Sequence, residues 1–238
     1  MLVFKRFLRH GALFTVLLAM AMAQTPLSGQ DMTVEQSYLQ ESVEMIIIRE
    51  QSRTNSRDNK LVALDHIANA IERGSTNPEL NTTLEYLSLE GIFNKTTENG
   101  RVINNFPDIR RQAATYLGQL GTPEARNTLM KVVSTDNEPM VISEAIRALG
   151  TIGNNDDNQV TSIIAWTIDR FDTLMPDSYL AYSALVAFEK IATANKGLTD
   201  PLAFETIMRI SQNYNYITPV RDRAKELQEN LMKNTYSQ

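Results

Sequence analysis

The clearest hydrophobic pattern in the chain is repeated, over Pro107–Gly121 and again 32 residues later over Pro139–Gly153. In each copy apolar residues recur at positions i, i+4, i+8 and i+11, which places them on one face of an α-helix. These residues are Ile109, Ala113, Leu117 and Leu120 in the first copy, and Val141, Ala145, Leu149 and Ile152 in the second. The pattern predicts two equivalent amphipathic helices.

Each predicted helix begins with a proline, which suits a first-turn position where no amide hydrogen is needed. Each ends at a glycine, Gly121 or Gly153, which readily adopts the left-handed conformation of a helix C-terminus. A second helix is predicted after each copy, opened by Thr122 in one case and by 155–157 in the other. A helix pair of this kind cannot bury its apolar stripe alone, so successive pairs are expected to stack.

These residues resemble HEAT repeats, in the short bacterial form related to PBS-lyase-type repeats, where a phrase such as PDIRRQAATYLGQLGTPEA is typical. The resemblance implies an all-α fold, a right-handed α-α superhelix or armadillo-like solenoid of about four helical-hairpin units. It also implies a surface that binds other proteins, and it implies no catalytic residue.

Weaker copies flank the repeat, and together they predict a solenoid over residues 35–233, followed by a disordered tail at 234–238. Asn59–Gly91 is a degenerate first unit, Ala184–Ala192 echoes Ala145–Gly153 at an offset of 39, and Pro219 begins an incomplete last unit.

Residues 92–106 interrupt the helical pattern. The dipeptide Asn99-Gly100 is a strong signal for a tight hairpin turn, and apolar pairs lie on both sides of it. The segment is therefore expected to form a projecting loop or short β-hairpin. It is either a binding loop or a long connection.

Residues 1–23 have the features of a signal peptide, with Lys5, Arg6 and Arg9 before an apolar run that ends in Ala21-Met22-Ala23. We expect cleavage after Ala23, a flexible leader at 24–34, and a periplasmic or secreted protein. The alternative is that the segment is kept as an anchor.

The charge of the chain argues against nucleic-acid and anionic membrane partners. Loss of residues 1–23 would remove three basic residues and no acid, which changes the net charge from −5 to −8. Phosphate neutralisation by basic side chains supplies much of the affinity for nucleic acids, so an acidic chain is a poor candidate.

The sequence offers little for catalysis, and we expect no enzyme activity, no metal site and no cofactor. The chain has no cysteine, and His66 is the only histidine after residue 23. A Ser-His-Asp relay or a zinc site would have to use it. Asp156 and Asp157 could hold a hard cation, but they are better explained as caps of the following helix.

Candidate partner-binding residues lie in three places: Arg110 and Arg111 on the repeat, Phe93, Asn99 and Arg101 in the projecting loop, and Tyr214 and Tyr216 near the end. The arginines could instead form ion pairs with the adjacent unit. Trp166 is either a binding anchor or a core residue, with core packing favoured. The expected surface is the row of second helices (124–133 and 160–171), with the loop at its rim.

The leading hypothesis is an exported, non-enzymatic scaffold or adaptor that binds a protein or peptide of the bacterial cell envelope. One alternative is a PBS-lyase-like enzyme or chromophore-binding protein. Another is a self-assembling structural subunit of an envelope or motility apparatus, which could form homo-oligomers.

Overall fold

The computed structural model describes residues 33–236, so the expected signal peptide (1–23) and almost all of the expected leader (24–34) lie outside the described residues. The chain divides into two compact units, Met1–Ser42 and Val43–Gln238. All contacts discussed below lie within the second unit.

Ten α-helices are present in the described part of the chain. They are α1 (Val34–Arg53), α2 (Arg57–Glu72), α3 (Pro78–Leu89), α4 (Pro107–Leu120), α5 (Pro123–Thr135), α6 (Pro139–Ile152), α7 (Gln159–Leu174), α8 (Ser178–Ala194), α9 (Pro201–Gln212) and α10 (Thr218–Tyr236). A 3₁₀ turn (Asp156–Asn158) precedes α7, and strands β1 (Thr97–Glu98) and β2 (Arg101–Val102) lie between α3 and α4.

From α2 onwards the helices pack in two rows that follow the order of the chain. The first helices of the units, α2, α4, α6, α8 and α10, pack successively against one another, and the second helices, α3, α5, α7 and α9, form the other row. The chain is therefore an all-α solenoid, as predicted. Helices α2 to α9 follow one another as four first and second helices, and α10 packs against both α8 and α9.

The repeated segments become α4 and α6, and their ends follow the predicted chemistry. Each helix has proline in its first turn, and each ends at a glycine with positive φ, 64° at Gly121 and 74° at Gly153. The stripe residues in the first three turns, including Leu117 and Leu149, are at most 1% exposed, whereas Leu120 and Ile152 at the helix ends are partly buried. Burying each such side chain contributes about 1.5–3 kcal/mol.

The start of α7 differs from the prediction that Asp156 and Asp157 cap it. The Asn155 side chain caps the helix instead, because its Oδ1 accepts from the backbone N–H groups of Val160 and Thr161, both at 3.1 Å. The Asp156 carboxylate lies 2.8 Å from the Arg126 guanidinium of α5. It therefore joins neighbouring second helices.

The C-terminal boundary also differs from the expected tail at 234–238. Helix α10 continues to Tyr236. No glycine or proline follows Pro219, so nothing in the sequence ends the helix earlier.

Candidate protein-interaction surface

Contacts between successive units define two opposite edges of the solenoid. On one edge, the starts of neighbouring first helices approach: the Arg57 guanidinium lies 2.7 Å from the Asp108 carboxylate, and the Ile217 N–H donates to Ser178 Oγ at 3.3 Å. We call this the hairpin edge. It comprises the connections 90–106, 136–138, 175–177 and 213–217 with the first two residues of each following helix.

The opposite edge comprises the connections 73–77, 121–122, 153–158 and 195–200, again with the first two residues of each following helix. Here Asn195 Nδ2 donates to the Gly153 carbonyl at 2.8 Å, and Thr199 Oγ1 donates to Asn158 Oδ1 at 3.0 Å. Polar contacts therefore join neighbouring units along this edge.

The two edges differ in exposed apolar surface. Among the described residues, the hairpin edge carries seven exposed large hydrophobic side chains: Phe93, Val102, Met140, Met175, Tyr179, Tyr214 and Ile217. The opposite edge carries one, Leu202. Exposed apolar side chains are ordinary when they are scattered singly, but a concentration on one surface indicates an interaction site.

The hairpin that gives this edge its name is short and tightly turned. Strands β1 and β2 pair antiparallel, with Thr97 opposite Val102 and Glu98 opposite Arg101. Asn99 and Gly100 form the turn with φ of 50° and 78°. Two successive positive φ values are typical of the two-residue hairpin turn that an Asn-Gly dipeptide favours.

Buried polar groups hold the base of the hairpin. Asn104 is 1% exposed, and its Nδ2 donates to the Asn94 carbonyl at 2.6 Å while its Oδ1 accepts from the Thr96 N–H at 2.8 Å. Asn104 Nδ2 also lies 3.3 Å from the carboxylate of Glu90, which forms a 2.8 Å ion pair with the fully buried Lys60 of α2. The hairpin is thus fastened to the first helical pair.

A second buried ion pair joins the hairpin segment to the next unit. Arg110 of α4 contacts both carboxylate oxygens of Asp136, at 2.7 and 3.3 Å, and both side chains are 1% exposed. Arg110 also donates to Asn105 Oδ1 at 2.6 Å. A guanidinium–carboxylate pair with two contacts fixes orientation as well as distance, so the connection at 136–138 is held against the hairpin segment.

The remaining part of the edge is anchored in the same way. Arg170 of α7 donates to the carbonyl oxygens of Ser134 and Asp136, both at 3.1 Å, and burial lowers the pKa of its guanidinium. Farther along, the buried Tyr216 hydroxyl donates to the Asp172 carboxylate. Burial and this hydrogen bond raise the pKa of Tyr216 well above its usual range.

Residues 102–165 match the family described as HEAT repeats. This segment spans the end of the hairpin, the first clear repeat unit and most of the second. The solenoid packing extends the same arrangement on both sides of it. The chain contains HEAT repeats. None of the curated proteins matches it.

HEAT repeats generally mediate protein interactions, and the predicted contact residues of this protein differ in whether they reach its surface. Four of them are exposed on the hairpin edge: Phe93, Asn99, Arg101 and Tyr214. Tyr214 is 87% exposed, and the Arg221 guanidinium lies 5.0 Å from the centre of its ring.

The other predicted contact residues are not fully exposed. Arg110 and Tyr216 are buried, and each forms a hydrogen bond with a carboxylate of a neighbouring element. These hydrogen bonds allow their polar groups to lie inside the protein. They position the edge and do not reach its surface. Arg111 is partly buried on α4.

Trp166 was expected to pack in the core, but it is 50% exposed on α7 of the HEAT-repeat stack. The Arg170 guanidinium lies 5.2 Å from the centre of the Trp166 ring, which stabilises this outward position. Met208 on α9 is exposed as well. Elsewhere this surface is polar: Lys131 pairs with Glu85 at 2.7 Å, and Arg209 with Asp169 at 3.2 Å.

Sequence reasoning missed Met140, Met175 and Ile217 on the hairpin edge. All three lie within two residues of a proline that opens or precedes a first helix, outside the apolar stripe of that helix. These apolar residues do not fit the helical spacing of the stripe, and this mismatch could have identified them from the sequence.

The remaining candidate chemistry does not assemble into a site. His66 Nδ1 lies 3.5 Å from the carboxylate of Glu44, which also pairs with Arg73. The described residues contain no group of three or more histidine, aspartate or glutamate side chains placed to bind a metal. No helix among them is both long and apolar enough to cross a membrane.

Proposed function

We propose that this protein is an exported, non-enzymatic HEAT-repeat scaffold that binds a protein or peptide partner through its hairpin edge. The observation that carries the proposal is the asymmetry of the two edges, with seven exposed large hydrophobic side chains on one and one on the other. Aromatic residues and methionine are enriched where proteins bind one another.

The anchoring of this edge favours binding. Asn104, Asp136 and Tyr216 are buried and hydrogen-bonded to neighbouring elements, so the loops between them are held in place before a partner arrives. A surface that is ordered in advance loses less conformational entropy on association. The partner is expected to present apolar side chains to Phe93, Met175 and Tyr214.

Export to the cell envelope is supported by the sequence of residues 1–23, with its basic start, apolar run and small residues before Gln24. Fractionation of cells that produce the full chain tests this part separately. Mature protein in the periplasm or medium, with Gln24 at its N-terminus, is the expected result. Cytoplasmic protein that retains residues 1–23 would contradict export without affecting the binding proposal.

The exposed face of helix α10 favours an adaptor over a self-assembling subunit. It is charged and includes Asp222, Lys225, Glu226 and Glu229. A polar outer face of this kind keeps a repeat array soluble. We therefore expect a monomer in sedimentation experiments, and concentration-dependent growth would favour the self-assembling alternative.

The binding test is a crosslinked pull-down from envelope fractions with the mature protein and matched variants. Phe93→Ser, Met175→Ser and Tyr214→Ser each remove an exposed apolar side chain from the hairpin edge, and Leu202→Ser makes the same kind of change on the opposite edge. We expect the mature protein to capture one stoichiometric partner. The Leu202→Ser variant should still capture it, and at least two of the three hairpin-edge variants should not. Equal capture by all four variants would overturn the assignment of this edge.

A further inference from the structure

A cleft lies between α1 and α3, on the surface formed by the second helices. Its volume is 470 Å³, and it is lined by Arg49, Ser52, Arg53, Glu79, Thr82, Thr83, Tyr86 and Asn94. Clefts of roughly 300–1,000 Å³ are the usual size for small-ligand sites. The exposed side chains at its mouth are polar or charged, which distinguishes it from the apolar hairpin edge.

The two arginines of the cleft differ in their partners. Arg49 Nε donates to Glu79 Oε1 at 2.5 Å, and this hydrogen bond lowers the pKa of Glu79. Arg53, one turn later at the end of α1, is exposed and has no ion pair or hydrogen bond with any described residue, and its charge contributes a smaller part of the lowering of the Glu79 pKa. The Arg49–Glu79 pair is neutral overall, so Arg53 leaves the cleft with one positive charge.

Tyr86 forms the floor of the cleft. Its hydroxyl donates to Glu90 Oε1 at 3.4 Å, and burial raises its pKa. The ring of Tyr86 rests near the buried Lys60 ammonium, 5.5 Å from the ring centre, and Lys60 donates to the Ser52 carbonyl at 2.7 Å. The floor is therefore fixed by buried contacts, while the Thr82 side chain is exposed beside it.

We propose that this cleft binds a single carboxylate group of a peptide, from an acidic side chain or a C-terminus, with Arg53 as its ion-pair partner. The charge of the cleft favours a carboxylate over a phosphate. One unpaired guanidinium balances a charge of −1, whereas a phosphate of nearly −2 would remain uncompensated beside the Glu79 carboxylate. The Arg49–Glu79 pair already shows a carboxylate held by a guanidinium at this place.

The test uses two capped tripeptides, acetyl-Ala-Glu-Ala-amide and acetyl-Ala-Gln-Ala-amide, added to ¹⁵N-labelled protein with residues 24–238. We expect only the glutamate peptide to shift the Arg53 Nε–H resonance and the amides of Thr82 and Asn94. Charge-assisted hydrogen bonds are stronger than neutral ones, so Arg53→Gln should weaken binding by about tenfold or more. Arg53→Lys should restore part of the binding.

Arg147→Gln is the matched control, because Arg147 is exposed on α6 and the substitution changes the net charge equally. It should leave the titration unchanged. A free carboxylate at a peptide C-terminus is tested with Ala-Ala-Ala against its amide, and binding of either carboxylate supports the shared chemistry. The proposal would be overturned if neither the glutamate peptide nor Ala-Ala-Ala binds, if the glutamine peptide binds as tightly as the glutamate peptide, or if Arg53→Gln and Arg147→Gln lose binding equally.

Inorganic phosphate is the competing probe. Tighter binding of phosphate than of the glutamate peptide would overturn the carboxylate assignment in favour of a phosphate site. None of these titrations involves the residues changed to test the hairpin edge. A failure here is therefore distinguishable from a failure of the proposed scaffold function.

Discussion

Gly118 of α4 lies against Ala148 of α6 so closely that a Cβ atom on Gly118 would stand 2.7 Å from the Ala148 Cβ. The same relationship recurs one unit later, where a Cβ on Gly150 would stand 2.7 Å from the Cα of Ala187. Glycine and alanine thus allow successive first helices to touch backbone to backbone. This contact explains the first glycine of each repeat, which lies within the helix and not at its end.

We predict that Gly118→Ala destabilises the protein even though alanine is the better helix former. Overpacking a buried site costs about 1–3 kcal/mol, and the gain in helix propensity is about 1 kcal/mol. The net loss in the free energy of unfolding, measured by urea titration, should therefore be about 1 kcal/mol. Stabilisation by Gly118→Ala would contradict the tight contact.

A pair of double-mutant cycles sharpens this prediction. Ala148→Gly removes the Cβ that Gly118→Ala would meet, so the two changes together should show a favourable coupling of about 1 kcal/mol. Ala187→Gly cannot relieve Gly150→Ala to the same extent, because the closest atom there is the Ala187 Cα. We expect a smaller coupling in that second cycle.

The solenoid could be predicted from the sequence because its signals are local and repeated. Pro107, Gly121 and the stripe between them specify one helix, and the copy at Pro139–Gly153 shows that the pattern is structural. The fourth unit departs from it at Glu189, which takes the place of the first glycine and pairs with Arg223 of α10. A salt bridge there replaces the glycine contact between first helices.

The candidate site was less predictable because burial of a polar side chain depends on partners that are distant in sequence. Arg110 meets Asp136 from 26 residues away, and Tyr216 meets Asp172 from 44 residues away. No local pattern marks either pair. Trp166 is the reverse case, since its helical spacing suggested the core but Arg170 on its own helix holds it outside.

We predict that Arg110→Met destabilises the protein by about 3–5 kcal/mol, because it leaves the buried Asp136 carboxylate without its charge partner. The substitution also removes the hydrogen bond to Asn105. Amide exchange at Thr96 and Ile103, whose N–H groups are bonded within the hairpin segment, should therefore become faster.

Arg111→Met is the control for this change. Arg111 is partly exposed, and its side chain has no ion pair with any described residue. Substitutions at such surface positions usually stay within about 0.5 kcal/mol. If the two variants unfold at the same urea concentration, the buried pair does not contribute as described.

We predict that the protein loses stability at alkaline pH because of Tyr216. Its pKa is raised in the folded state by burial and by the bond to Asp172, whereas an unfolded tyrosine titrates near pH 10. Tyr216 makes its full contribution to the free energy of unfolding below about pH 10. At higher pH the tyrosine ionises in the unfolded chain but not in the folded chain, so this contribution falls by up to about 1.4 kcal/mol per pH unit.

Tyr216→Phe removes this titration. At pH 8 the variant should be less stable than the parent by about 1 kcal/mol, for the lost hydrogen bond, and the difference should shrink between pH 10 and 11.5. Urea unfolding of the parent and the variant across this range measures it. A Tyr216→Phe difference that does not change with pH would refute the linkage.

Trp166 offers a direct test of which surface the partner covers, because it is the single tryptophan of the chain. Its indole is 50% exposed on the second-helix surface, so acrylamide should quench its fluorescence in the free protein. A partner without tryptophan that binds the hairpin edge should leave the quenching constant unchanged. A partner that lies across the second helices should shield the ring and lower the constant severalfold. The second outcome would move the binding surface from the loops to α7 and α9.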